Sequence, residues 1–211
     1  MSFYFTREPR RMLAATSSLA RAPPPSATLR SMSTLRPAVF LDRDGTLMDD
    51  PGYVGDPALV RLLPGVAAAL ARLRARGFKT VIVTNQSGIG RGYFTEADFT
   101  RVNDRLLELL GADAIDATYF CADHPDTATA RRKPEPGMLL EAARDLALDL
   151  ASSWMIGDRA GDIEAGRRAG VRSILVLTGE GARADASGAA FVANDLVAAV
   201  DFILKQSDAS Q

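Results

Sequence analysis

The chain of 211 residues holds one cysteine, Cys121, so it has no intramolecular disulfide framework, and a lone thiol fits a reducing compartment. Long hydrophobic runs are missing as well. No uninterrupted apolar stretch reaches about 18 residues, so a transmembrane helix is not expected. Nor is there an excess of one charge: 25 Lys and Arg face 26 Asp and Glu, a formal net charge of −1. That balance gives no reason to expect a nucleic-acid or anionic-membrane surface. No internal repeat recurs at solenoid spacing. A clear glycine-rich phosphate fingerprint ahead of a helix is also absent, and Gly88, Gly90 and Gly92 read as turn glycines.

The first 36 residues lack lysine and carry a single acid, Glu8, against six arginines. With Pro23, Pro24 and Pro25 and many Ser, Ala and Thr, this segment has too little apolar surface to order itself. An Arg- and Ser-rich, acid-poor start resembles an organellar transit peptide. The alternative, favoured because Met32 lies just before the first expected strand, is an initiation site at Met12 or Met32. The expected organisation is therefore a disordered, targeting or mis-assigned extension over 1–36 and one domain over 37–206. With the whole chain at −1 and the extension at +5, residues 37–211 carry −6. The expected location is cytoplasmic, or organellar if the extension is a transit peptide.

From Pro37 short apolar runs alternate with amphipathic stretches, the pattern of an α/β fold with a parallel sheet flanked by helices. Strands are expected at 38–41, 80–83, 117–120, 153–156 and 173–177, and helices at about 64–76, 95–110, 136–148, 160–169 and 193–205. The strand runs are continuously apolar, as burial on both faces requires. Thr95, followed by Glu96 and Asp98, is a suitable helix N-cap, and Ser207 to Gln211 are expected to fray.

Polar clusters fall at the expected strand ends, where open parallel sheets bind ligands. They are Asp42-Arg43-Asp44-Gly45-Thr46, Thr84-Asn85-Gln86-Ser87-Gly88, Arg132-Lys133, and Gly157-Asp158 with Asp162 four residues on. Asp42 and Asp44, two apart on an extended backbone, can point into one crevice. Adjacent carboxylates favour a neutralising cation, and Mg²⁺ suits carboxylates, water and phosphate oxygens. The expected metal ligands are Asp42, Asp44 and Asp158, with Asp162 either a further ligand or a complement to its helix dipole. Asp42 can then attack phosphorus. Asp44 can protonate the leaving oxygen and later deprotonate water. Lys133 and the Thr84 hydroxyl suit the phosphoryl oxygens. Arg43 places its backbone beside the phosphate or is a surface residue.

These residues resemble the motifs of the haloacid dehalogenase superfamily over about residues 37–180. Asp42-x-Asp44-Gly45-Thr46 is similar to its first motif, Thr84 to its second, Lys133 to its third, and Asp158 with Asp162 to its fourth. The resemblance implies a Rossmann-like sheet. An acid at position 44 implies a phosphatase rather than a dehalogenase or a P-type ATPase. Thr84-Asn85-Gln86-Ser87-Gly88-Ile89 and Arg132-Lys133-Pro134 resemble the branch of heptose-bisphosphate and histidinol phosphatases, and Gly52-Tyr53-Val54 favours the heptose side. The branch pattern implies substrate contacts at Asp50, Pro51, Gly52, Tyr53, Thr84, Asn85, Gln86, Ser87, Arg132 and Lys133. Members often hold zinc in a Cys-x-His, Cys-x-Cys loop. Here Cys121 remains, but Asp123, Thr129 and Arg131 stand at the other three positions and His124 is one residue late, so structural zinc is expected to be absent. The spacing between motifs leaves no room for a separate cap domain.

The expected ligand is a small phosphorylated metabolite, met by a monomer. Other sugar phosphates and histidinol phosphate remain open, and a 3′-phosphate on nucleic acid is disfavoured by the acidic domain. A non-catalytic phospho-ligand binder is the alternative of a different class.

Overall fold

The structure, a computed structural model, describes residues 35–208. The expected extension over 1–36 lies outside the described residues except for its last two positions, as do 209–211. Six strands form one parallel sheet: β1 (Arg36–Leu41), β2 (Lys79–Asn85), β3 (Ala117–Cys121), β4 (Leu148–Gly157), β5 (Arg172–Val176) and β6 (Phe191–Ala193), in the order β3-β2-β1-β4-β5-β6. Six helices accompany them: α1 (Val66–Ala75), α2 (Ser87–Gly90), α3 (Glu96–Leu110), α4 (Gly137–Leu146), α5 (Ala160–Ala169) and α6 (Leu196–Asp208).

Alternation along the strands divides the core into two layers. On β1, Val39 and Leu41 face a cluster with Ile82, Trp154 and Ile156, covered by Leu70 and Leu73 of α1, Val102 and Leu106 of α3, and Ile203 of α6. Ala38 and Phe40 face the other side with Val81, Val83 and Met155, beneath Met138 and Leu139 of α4 and Ala165 of α5. Strands sandwiched this way must be apolar on both faces, which is why their runs are continuous. β1 sits at the reversal of strand order, between β2 and β4, so a crevice opens beyond its carboxyl end.

The expected elements are present with shifted ends. β4 is longer than 153–156 because its register with β1 jumps between Pro37 and Val39: Asp149 opposes Pro37, and Trp154 opposes Val39. The Ser153 hydroxyl fills the irregularity by accepting the Ala38 N–H at 2.8 Å. The capping box at α3 is complete, with Thr95 and Asp98 exchanging hydrogen bonds. The sixth strand and the four-residue α2 were not anticipated, since three and four residues carry no readable period. β6 takes Ala193, the first residue of the last expected helix, and α6 runs on to Asp208, where Arg76 pairs with that carboxylate instead of leaving Ser207 and Asp208 frayed. No second domain intervenes among the described residues. Residues 42–65 join β1 to α1 with one short 3₁₀ turn, Pro57–Leu59, and residues 86–95 join β2 to α3.

Candidate active site

Register brings the strand ends together. Leu41 opposes Ile82 on β2 and Ile156 on β4, and the Asp42 N–H donates to the Ile156 carbonyl at 2.9 Å. Asp42 thus leaves the sheet level with Val83 on one side and Gly157 on the other. The Lys133 ammonium reaches in and uses its three donors on Asp42 Oδ1 (2.7 Å), Asp162 Oδ1 (2.6 Å) and the Val83 carbonyl (2.8 Å). Burial opposes its charge, but Asp162 and Asp42 outweigh burial and raise its pKa above the ordinary ammonium value. Asn85 holds the Lys133 backbone from both sides, donating to its carbonyl at 2.9 Å and accepting from its N–H at 3.1 Å.

Asp42, Asp158 and Asp162 each bring a carboxylate oxygen within 4.8 Å of the others, and all three residues are buried. Asp158 is packed tightly: Cβ atoms at Gly45 or Gly179, both at positive φ, would collide with its Oδ2, which accepts the Glu180 N–H at 2.8 Å. Its Oδ1 is buried without a hydrogen-bond partner. Burial, with the Asp42 charge adding, pushes the Asp158 carboxyl up to about 7. Asp162 serves twice, since its Oδ2 also accepts the Arg159 N–H at 3.0 Å and so caps α5. With all three ionised, three carboxylates against one ammonium carry a formal charge of −2. An all-oxygen donor set with that charge and an orphaned carboxylate oxygen fits a hard divalent cation such as Mg²⁺.

Asp44 departs from expectation. Its carboxylate is not in the three-acid group but is held by Arg43 and Gln86. The chain turns after Asp44, with the Leu47 and Met48 N–H groups both returning to the Arg43 carbonyl; both aspartates open into one cleft, as their spacing suggests, but only Asp42 joins the acid group. Burial raises the Asp44 pKa against the pull of the Arg43 charge. Arg43 is fully buried, neither on the surface nor among the side chains lining the cleft.

Asp42 and Asp44 line a cleft of about 550 Å³. Asp50, Pro51, Gly52 and Tyr53 form one wall, Thr84, Asn85, Gln86 and Ser87 another, and Arg132 and Lys133 a third. Every anticipated contact except Arg43 is therefore brought together. Tyr53, at φ 48°, meets the ring of Tyr93 edge-on at 4.8 Å. Sequence reasoning missed Arg159 and Glu180 in the lining. Arg159 joins Asp50 Oδ2 and Glu180 Oε1, both at 3.0 Å, and so ties the Asp50–Tyr53 wall to the end of β5. A cation directly after Asp158 was the available signal; Glu180 had none. In the Cys121–Lys133 loop, Asp123 Oδ2 accepts the Thr129 N–H at 2.7 Å and His124 Nδ1 accepts that of Asp126 at 3.2 Å.

The HAD-hydrolase-like family model matches residues 130–199. The chain is 43% identical over 187 residues to the D-glycero-D-manno-heptose-1,7-bisphosphate 7-phosphatase of Thermosynechococcus vestitus, covering 80% of this chain and 95% of the relative. It is 40% identical over 186 residues to the D-glycero-β-D-manno-heptose-1,7-bisphosphate 7-phosphatase of Escherichia coli, covering 83% and 97%. Among solved structures, the D,D-heptose 1,7-bisphosphate phosphatase of B. bronchiseptica, complexed with magnesium and phosphate, superposes with a TM-score of 0.75 at 35% identity, covering 81% of this chain and 99% of that one.

Proposed function

This chain belongs to the haloacid dehalogenase superfamily and is a phosphatase, and on that premise we propose that it removes the 7-phosphate of D-glycero-D-manno-heptose 1,7-bisphosphate through an aspartyl-phosphate on Asp42. The observation that carries the mechanism is the buried cluster in which Asp42 meets Asp158, Asp162 and Lys133 at the open end of β1. Asp42, Asp158 and Asp162 would hold Mg²⁺, which when bound offsets their charge and that of the phosphoryl oxygens.

Asp42 attacks phosphorus as a carboxylate, forming a mixed anhydride. Asp44, in its protonated form, gives its proton to the sugar oxygen as the P–O bond breaks. It then takes a proton from the water that cleaves the anhydride, which restores both aspartates. Thr84 donates to a phosphoryl oxygen, and Lys133, with its three donors on Asp42, Asp162 and the Val83 carbonyl, offsets the phosphoryl charge from beside the nucleophile. Arg132 offers a planar fork to a second phosphate or to sugar hydroxyls. The heptose assignment is supported by the relatives' names and by the presence of Asp50–Tyr53 and Arg132 in the lining of one cleft. Relatives are named for both α and β anomers, so no anomer is assigned.

The test is phosphate release from heptose 1,7-bisphosphate, histidinol phosphate and other sugar phosphates, with Mg²⁺ and with chelator. Mg²⁺-dependent release, fastest from the heptose bisphosphate, is expected. Turnover undiminished in chelator would remove the metal from the reading, and histidinol phosphate winning tenfold would remove the heptose.

A further inference from the structure

Asp42 and Asp44 leave the same strand end two residues apart, yet only Asp42 joins the acidic cluster. The difference lies in what holds Asp44. The buried Arg43 guanidinium lies with Nε 3.1 and 3.2 Å from the two Asp44 oxygens and Nη2 2.9 Å from Oδ1. The same Nη2 donates to Gln86 Oε1 at 3.1 Å. Gln86 Nε2 closes the ring, donating to Asp44 Oδ2 at 2.8 Å and to Thr84 Oγ1 at 2.9 Å. Behind this ring the Arg43 guanidinium lies over the Phe99 face, 5.2 Å from its centroid, which anchors it to α3. Both residues are nearly or wholly buried, and the Gln86 amide is spent on its neighbours.

A free Asp44 carboxylate would compete for the same cation as Asp42, and one bound to a metal cannot carry a proton to a leaving group. We propose that Arg43, with Gln86, is a positioning residue that holds Asp44 out of the carboxylate cluster and aims it into the cleft for proton transfer, so that the neighbouring aspartates take separate tasks. The inference rests on the phosphatase mechanism above. Arginine is needed because its rigid fork grips both Asp44 oxygens while sharing one nitrogen with Gln86; a lysine ammonium is a point charge on a flexible stem.

The experiment compares Arg43→Lys and Gln86→Met with Asp44→Asn, in full-length protein with saturating Mg²⁺. Single-turnover rates are measured on heptose 1,7-bisphosphate, a poor alkoxide leaving group, and on 4-nitrophenyl phosphate, a good one. Proton transfer matters most for the poor leaving group, so each variant is expected to lose ~10²-fold on the sugar and under about tenfold on the aryl ester, in parallel with Asp44→Asn. A purely structural role predicts equal losses on both substrates, and that result, or an unchanged sugar rate, overturns the inference. If Arg43→Lys does not fold, Gln86→Met decides by the same comparison, since it removes the Gln86 donor and acceptor while Arg43 and Asp44 keep each other and neither buried charge is stranded. Wild-type protein inactive on both substrates overturns the mechanism and this inference together. Active wild type with flat variant ratios overturns the inference alone.

Discussion

Asp42 sits where three other carboxylates repel it and one ammonium attracts it, so a neutral replacement acts in two directions. Asp42→Asn relieves the charge that raises Asp158, Asp162 and Asp44, but takes the charge from one of the three partners of Lys133 while leaving an amide oxygen to accept. Lys133 keeps Asp162 and the Val83 carbonyl, so the buried ammonium is not stranded. The variant is expected to melt within about 5 °C of wild type while turnover falls at least ~10³-fold. Phosphate release within tenfold of wild type would remove Asp42 from the nucleophile's role. Asp158 makes the site pH-sensitive before metal binds. Its folded pKa of about 7 exceeds the ordinary carboxylate value of 3.8, so between those values the native state binds more protons and stability falls as pH rises. Mg²⁺ needs the ionised form, so the rise in melting temperature on adding Mg²⁺ is expected to be larger at pH 8 than at pH 6. Equal shifts at both pH values, read by calorimetry, would mean that Asp158 is already ionised at pH 6 and that burial does not hold its proton.

Among the elements, α2 and the loop after β3 show how a short segment depends on its neighbour. Gly90 has no side chain because its Cβ would press on the backbone of Ala122 to His124. That loop is closed by the Asp123 carboxylate on the Thr129 N–H and by a 3₁₀ turn at Pro125–Thr127. Four-coordinate zinc wants thiolates and imidazoles converging on one point. Here Cys121 is buried, Asp123 is engaged by Thr129, and Arg131 pairs with Glu141 at 3.3 Å. The purified protein is expected to carry well under one zinc per chain. Elemental analysis returning one tightly held zinc that resists mild chelation would refute this. The α3 cap was readable from Thr95 and Asp98 because a capping box is a local hydrogen-bond exchange. β6 was not, because Phe191–Ala193 becomes a strand only by pairing with Ile174 to Val176.

On the scale of the whole molecule, the cleft lining is drawn from five separate connections between elements. Arg132 faces the cleft with its Nη1 only 3.4 Å from the Asp123 carbonyl, a weak tie that leaves the guanidinium available to substrate. Arg132→Ala is expected to lower kcat/KM for heptose bisphosphate about 10²-fold and for an aryl phosphate by less than about threefold. Equal small losses on both would return Arg132 to an ordinary surface arginine. The sequence by itself determined the α/β alternation, because strands buried on two faces must be apolar throughout, and it marked the polar strand ends as the site. It also singled out Lys133 and Asp158, which stand in short motifs and which the fold brings beside Asp42. Only the tertiary structure decided that Arg159 and Glu180 close the cleft, that Arg43 is buried, and that Asp162 rather than Asp44 completes the carboxylate cluster. Those outcomes depend on the Arg43 and Gln86 contacts that hold the Asp44 carboxylate and on a strand order that sets β1 beside β4, and no local spacing along the chain encodes either.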